Sequence, residues 1–258
     1  MKSRNWRPLI GVTTSVKGGM LSWLFNRFAV WRAGGRAVRI SAGSPVFYDR
    51  LDGLIVGGGD DINAELYEGD IELNIRVDHR RDQLEQSLLA RSEKTPLPVL
   101  GICRGAQMIN IHHHGTLHED MYRIYETAPR MRTVLPRKKV NIESGSRLFQ
   151  IMKKKRHRIN CLHHQSINRV GKDLQVAAKD DHEIIQAIEN PDHPFLVGVQ
   201  WHPEYLPLSQ IHQRLFRALV KKAREYAVKK FHHSGSVGCL RKPGNEQTRF
   251  PLEAFFLT

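Results

Sequence analysis

Cys103 lies where an apolar run meets a helical pattern, in Pro96-Leu-Pro-Val-Leu-Gly-Ile-Cys103-Arg-Gly-Ala-Gln-Met-Ile-Asn110. Val99 to Ile102 reads as a short buried strand, and Met108, Ile109 and Ile111 share one side of the helix that follows. A nucleophile on a tight strand-to-helix turn is the elbow used by α/β hydrolases. Gly101 and Gly105 occupy the two positions where a side chain would crowd such a turn. The start of the helix aims free N–H groups and a positive dipole end at the sulfur, which favours the thiolate. A buried structural cysteine fits the same run taken by itself.

A second apolar strand, Phe195 to Trp201, ends in His202-Pro203-Glu204. A histidine just past a strand end, with a carboxylate two residues on, supplies a base and the group that orients it. Cysteine chemistry needs a base to hold the thiolate and return a proton to the leaving group, while a third group fixes tautomer and angle. Paired with the glycine-flanked Cys103 far upstream, the segment completes a candidate triad. The third piece is Asp52-Gly-Leu-Ile-Val-Gly57-Gly58-Gly59-Asp60-Asp61-Ile62. Its strand, Leu54 to Val56, runs into glycines whose N–H groups can stabilise an oxyanion together with the N–H of Arg104. Such a turn can also cradle phosphate. The chain has neither a Gly-x-x-x-x-Gly-Lys-Ser/Thr loop nor a Gly-x-Gly-x-x-Gly opening a helix, so the phosphate reading is the weaker one.

These pieces, in this order, resemble the class I glutamine amidotransferase-like superfamily, and within it the γ-glutamyl hydrolase group typified by γ-glutamyl-γ-aminobutyrate hydrolase. The resemblance runs from about residue 8 to 225. It includes Gly11-Val-Thr-Thr-Ser15, Ala33-Gly-Gly35, Asp52 to Tyr67, Arg81-Asp82, Gly101 to Asn110 and Gly115-Thr-Leu117. It continues through Ser146-Arg-Leu148, Asn160-Cys-Leu-His163-His164-Gln165, Ala187-Ile-Glu189 and Gly198 to Glu204. The resemblance implies that Cys103 is the nucleophile, His202 the base and Glu204 its orienting carboxylate. It implies an oxyanion loop of Gly58, Gly59 and the Arg104 N–H. Gln107, four residues after the cysteine and so on the same helix face, would hold the glutamyl moiety. His163, His164 and Gln165 would form part of the pocket wall. The chain departs from the pattern in three places: Asn160-Cys161 stands for Asn-Ser, His114-Gly115 for Gly-Gly, and Gln186 for a glutamate. These departures leave the triad intact and bear on substrate choice; Cys161 also brings a second thiol near the pocket.

The elements that must position these groups follow an α/β pattern. Strands near Leu9–Thr13, Ala37–Ile40, Leu54–Val56 and Val99–Ile102 alternate with helices at Trp23–Ala33, capped by Gly34-Gly35, and at residues 80–93. The expected fold is α/β, a single domain with an open, mostly parallel sheet and helices on both faces, a flavodoxin-like sandwich. Reactive groups then fall at the carboxyl ends of the strands, as Gly57–Gly59, Cys103 and His202 do. Lys138 to Ala187 holds strand-like runs such as Val140–Ile142 and Leu174–Ala178, and a helix from Leu208 to Lys229 closes the fold. The domain is placed at residues 1–230, with 231–258 a tail containing Ser234-Gly-Ser-Val-Gly238 and an apolar Phe250–Leu257.

A chain of 258 residues can bury a sizeable core. No run approaches the ~18 apolar residues of a membrane span. No apolar stretch follows Met1 to Arg7 before Gly11, so neither a span nor a signal peptide is expected. Three cysteines without paired spacing suit a reducing cytoplasm. The net charge of +14 gathers at Arg130–Lys139, Lys153–Arg158 and Lys221–Lys230, on expected loops or exposed helix faces. No nucleic-acid-binding signature accompanies these clusters, so no specific nucleic acid is expected. The His112-His-His114 tract lacks ligand spacing, so no metal and no cofactor are expected. The expected partner is a small γ-glutamyl substrate, and the fold is compatible with a homodimer.

Two function classes follow. The first is a cysteine-dependent hydrolase that cleaves a γ-glutamyl amide through a glutamyl thioester, which implies a place in polyamine or amino-acid catabolism. The second is an amidotransferase subunit supplying ammonia to a synthetase, or a non-catalytic partner-binding protein. The chain has no synthetase domain, and its Asn160 to Gln165 segment is closer to the hydrolases. The leaving-group side is assigned to Tyr67–Arg76 and to the Arg- and Lys-rich Tyr122–Lys139. That composition predicts a preference for amines that carry a carboxylate.

Overall fold

A computed structural model describes residues 6–16, 19–43, 48–59, 62 and 78–235. Asp60, Asp61, the Tyr67–Arg76 segment, Cys239 and the apolar Phe250–Leu257 lie outside the described residues. The first half alternates as expected: β1 (Leu9–Thr13), α1 (Met20–Arg32), β2 (Arg36–Ile40), β3 (Gly53–Val56), α2 (His79–Lys94), β4 (Val99–Ile102) and α3 (Arg104–His112). A small pair follows, β5 (Leu117–His118) with β8 (Ser166–Ile167), and the short α4 (Met121–Ile124) lies between them in sequence. The rest comprises β6 (Thr133–Ile142), α5 (Arg147–Met152), β7 (Arg156–Cys161), β9 (Gln175–Asp180), β10 (Ile185–Glu189), β11 (Leu196–Val199) and α6 (Gln213–Gly235).

Among the described residues, nine strands form one sheet in the order β2-β1-β3-β4-β11-β10-β9-β6-β7. From β2 to β11 every pairing is parallel, and from β11 to β7 every pairing is antiparallel. The parallel strands are apolar runs because both of their faces are covered. Successive side chains alternate between two cores. Ile55, Leu100 and Ile102 join Val30 of α1 and Phe216 of α6, whereas Leu54, Val56 and Val99 join Leu89 of α2 and Ile109 of α3. Helices therefore cover both faces, as the α/β pattern requires. No helix among the described residues is long and apolar enough to cross a membrane.

Several placements differ from the sequence expectation. Helix α1 begins at Met20, before Trp23, directly after Gly19 turns the chain at φ 68°. Helix α6 begins at Gln213 and not Leu208, because Leu208 is 94% exposed and takes no part in the apolar face. That face starts with Leu215 and Phe216 and recurs at Leu219, Val220, Ala223 and Ala227. The same helix runs on to Gly235, past its expected end at Lys229. The basic clusters at 130–139 and 153–158 fall partly on strands β6 and β7, not on loops. Lys138 is buried there against Asp180 at 2.6 Å, because its strand position faces the interior, where only a paired charge is tolerated.

Candidate active site

Three neighbouring strands, β3, β4 and β11, bring their carboxyl ends together. Strand β4 delivers Cys103, whose backbone sits at φ 52° and ψ −107°. Its N–H donates to the Val199 carbonyl at 2.7 Å, and its own carbonyl accepts from the N–H groups of Ala106 and Gln107 at 3.0 and 3.3 Å. The turn is this tight because α3 lies directly on β3. A Cβ on Gly105 would stand 1.9 Å from the Val56 carbonyl oxygen, so only glycine fits.

Beyond β11, His202 Nδ1 meets Glu204 Oε1 at 2.8 Å, and the same imidazole packs beside Cys103 against Gly58. Burial of the ring works against its protonation, but Glu204 and Cys103 outweigh burial and hold the imidazolium well above the ordinary histidine range. Tyr205 stacks on the imidazole with ring centres 5.1 Å apart and planes at 15°. Asn160, from the distant edge strand β7, grips the His202 backbone through both of its amide atoms. Cys103, His202 and Glu204 are therefore brought together as the sequence predicted.

The loop after β3 lies against the pair. A Cβ on Gly58 would stand 2.7 Å from His202 Cε1 and 3.6 Å from Cys103 Cβ. Gly59 follows at φ 153°, a conformation that favours glycine. The N–H of Gly57 is taken by Thr13 Oγ1 at 3.0 Å, which leaves Gly58 and Gly59 as the donors of the loop. The Arg104 side chain turns away from the sulfur and pairs, buried, with Asp82 and Glu85 of α2. That side chain therefore takes no part at the sulfur.

Gln107 joins this centre through its side-chain amide: Nε2 donates at 3.2 Å to both the Gln165 carbonyl and Gln200 Oε1. Gln200 in turn places its Nε2 3.6 Å from Cys103 Sγ. His163 is buried beside them with Nδ1 2.8 Å from the Gln165 carbonyl, and burial pushes its pKa down to about 3. His164 differs from its neighbours in being exposed; its carbonyl accepts from Met121 N–H at 2.9 Å. Cys161 is fully buried beside Met121, Ala128 and Ile184, and burial raises its thiol pKa. Gln186, one of the departures noted above, donates to Asp180, the partner of Lys138.

Gln200 and Asn160 were not singled out by the sequence as contacts of the triad. Gln200 reads there as one residue of the apolar strand Phe195 to Trp201, and nothing local links Asn160 to a histidine beyond another strand. Their roles come from side chains that meet only in the folded chain. The His112-His113 pair packs toward Glu93, at 3.3 and 3.6 Å, and no group of three metal-ligating side chains occurs among the described residues.

Comparison with known proteins shows the family and the fold. The sequence pattern of the Peptidase C26 family matches residues 8–204. A Rickettsia prowazekii (strain Madrid E) protein, provisionally named glutamine amidotransferase-like, is 29% identical, over 84% of this chain and 98% of its own length. A Mycobacterium tuberculosis (strain H37Rv) protein, provisionally named a glutamine amidotransferase, is 38% identical over 69% of this chain and 58% of its own. The γ-glutamyl-γ-aminobutyrate hydrolase of Escherichia coli (strain K12) is 26% identical over 77% of this chain and 86% of its own. Among solved structures, a Thermoplasma acidophilum protein provisionally described as one chain of a GMP synthase shares the fold. Its TM-score is 0.66 at 18% identity, covering 88% of this chain and 98% of that one.

Proposed function

Because the chain belongs to the Peptidase C26 family, we propose that it hydrolyses γ-glutamyl amides through a glutamyl thioester on Cys103. The observation that supports this reading is the imidazole of His202, hydrogen-bonded to Glu204 at 2.8 Å and packed with Cys103 against the same glycine, Gly58. With Nδ1 engaged by Glu204, Nε2 is the ring nitrogen left for the sulfur. The thiolate attacks the amide carbon, a C–S bond forms, and the carbonyl π pair moves onto oxygen. The N–H groups of Gly58, Gly59 and Arg104 receive that oxyanion. Collapse restores the carbonyl and breaks the C–N bond, while His202 gives its proton to the departing amine. Water then loses a proton to His202 and attacks the thioester; a second collapse frees glutamate and returns the thiolate. Gln107, His163 and Gln165 stand where the glutamyl group would be held.

The leaving amine is read by the segment entering β6, where Arg130, Arg132, Arg137 and Lys139 are exposed. The amidotransferase reading, which the provisional names of several relatives favour, differs in substrate: glutamine alone, with ammonia passed to a partner. Purified chain is incubated with a γ-glutamyl amino acid, the matching uncharged γ-glutamyl alkylamide, and glutamine, and released glutamate is measured across a salt series. The proposal expects hydrolysis of both γ-glutamyl amides, with the amino acid preferred at low salt and the advantage shrinking as exposed charges are screened. Turnover of glutamine only would favour the ammonia donor. No glutamate from any of the three would overturn the hydrolase.

A further inference from the structure

Arg81, in the first turn of α2, is 1% exposed and belongs to no part of the triad. Its guanidinium reaches across to the glycine loop, where Nη2 donates to the carbonyls of Gly57 at 2.7 Å and Gly58 at 3.0 Å. Nη1 donates to Ser15 Oγ at 3.0 Å, and Nε to Glu85 Oε1 at 2.8 Å. A trans peptide is planar, so its N–H points opposite to its C=O. The Gly57 carbonyl shares its plane with the Gly58 N–H, and the Gly58 carbonyl with the Gly59 N–H. The two peptides held by Arg81 are therefore the two whose N–H groups the hydrolase reading assigns to the oxyanion.

We propose that Arg81 is the positioning residue of the oxyanion loop, an inference that rests on that reading for what the loop receives. By holding both carbonyls, the guanidinium aims both N–H groups away from itself, and its charge polarises the two peptides toward stronger donation. Glu85 ties this device to the nucleophile. Its Oε1 accepts from Arg81 and, at 2.6 Å, from the Thr13 hydroxyl, while its Oε2 pairs with Arg104, the residue after Cys103. Loop and elbow thus share one buried carboxylate. A lysine at position 81 presents a single ammonium and cannot span two carbonyls, Ser15 and Glu85 in one plane.

The test separates oxyanion chemistry from general support of the site by using two probes of Cys103. Iodoacetamide loses iodide in a direct displacement by sulfur and develops no oxyanion. Butanal accepts the sulfur at its carbonyl carbon, the π pair moves to oxygen, and a thiohemiacetal oxyanion forms that shields Cys103 from alkylation. Peptide mapping follows alkylation at Cys103 with and without butanal. For Arg81→Lys, the alkylation rate without aldehyde should stay within about twofold of wild type, while the butanal needed for half protection rises about tenfold or more, below the scale for losing a donor outright. Ser15→Ala, which frees one edge of the guanidinium, should raise it in the same direction by about two- to threefold, and decides the matter if Arg81→Lys does not fold. Equal protection in wild type and variants, no protection in wild type, or a parallel fall in the alkylation rate would each overturn the proposal. Absence of glutamate release by the wild type, with butanal protection behaving as expected, would fail the hydrolase reading alone.

Discussion

Asn160 holds the backbone of His202 on both sides, its Nδ2 donating to the His202 carbonyl at 2.9 Å and its Oδ1 accepting from the His202 N–H at 2.8 Å. Asn160 lies on the edge strand β7 and His202 just beyond the central strand β11, so this clamp joins the antiparallel edge to the candidate triad. Asn160→Ala would leave the buried His202 N–H without a partner, at about 1–3 kcal/mol, and its carbonyl with only the Tyr205 N–H at 3.3 Å. Turnover should fall because the imidazole loses its fixed direction, while near-ultraviolet circular dichroism stays native. Unchanged kcat in folded Asn160→Ala would show that His202 is oriented by Glu204 and Tyr205 alone.

The two described thiols should behave in opposite ways. Cys103 faces His202 at the end of a strand, whereas Cys161 is fully buried and its thiol pKa is raised by burial. Iodoacetamide near neutral pH should label Cys103 in the native protein and Cys161 only after denaturation, as peptide mapping would read. Labelling of native Cys161 before Cys103 would reassign the nucleophile.

Substitutions in the base and its partner should be unequal. His202→Asn removes both proton transfer and thiolate support, and should lower kcat by roughly 10²–10⁴-fold. Glu204→Gln should cost less, since an orienting carboxylate does not itself carry the proton. The ordering of the two kcat values checks the assignment, and a larger loss for Glu204→Gln would reverse it.

Stability should depend on pH through the buried histidines. Burial holds His163 at about 3 and His212 at about 4, against ~6.5 in an unfolded chain. Below ~6.5 the unfolded state binds protons that the native state refuses, so stability falls with pH, by up to about 1.4 kcal/mol per unit for each histidine. Urea midpoints between pH 7 and pH 5 should show this decline, and His212→Asn should make it shallower. His202 runs the other way. Its raised value means that the native state keeps a proton the unfolded chain has lost, so its contribution is complete below ~6.5 and fades as pH rises through the native value. The imidazole signal of His202 should titrate lower in Glu204→Gln; an unshifted titration would count against the charge pairing.

Much of this arrangement was legible as runs and punctuation. Val99–Ile102 and Leu196–Val199 are apolar because both sheet faces are covered, and the glycines at 57–59, 101 and 105 mark places where the backbone is crowded. What could not be read were contacts made across the sheet. Gln200 looks like a strand residue until its amide is seen beside Cys103 Sγ, and Arg81 looks like one more cation on a helix until it enters the glycine loop. Lys138, taken with a solvated basic cluster, proved to be an interior charge because its partner Asp180 arrives from another strand. His164 sits in the same motif as His163 but faces solvent, since the chain bends at His164 between two buried neighbours.

Cys103 is where the fold works against its own stability. A residue with a Cβ at φ 52° and ψ −107° occupies backbone space that costs on the order of 1–3 kcal/mol. Glycine would sit there without strain, so Cys103→Gly is a change in which the loss of all chemistry and a relief of backbone energy arrive together. Selection for thermal endurance alone would drift this position toward an inert chain. On the hydrolase reading, the strained angle at 103 is the cost of placing a sulfur where glycine would be more stable.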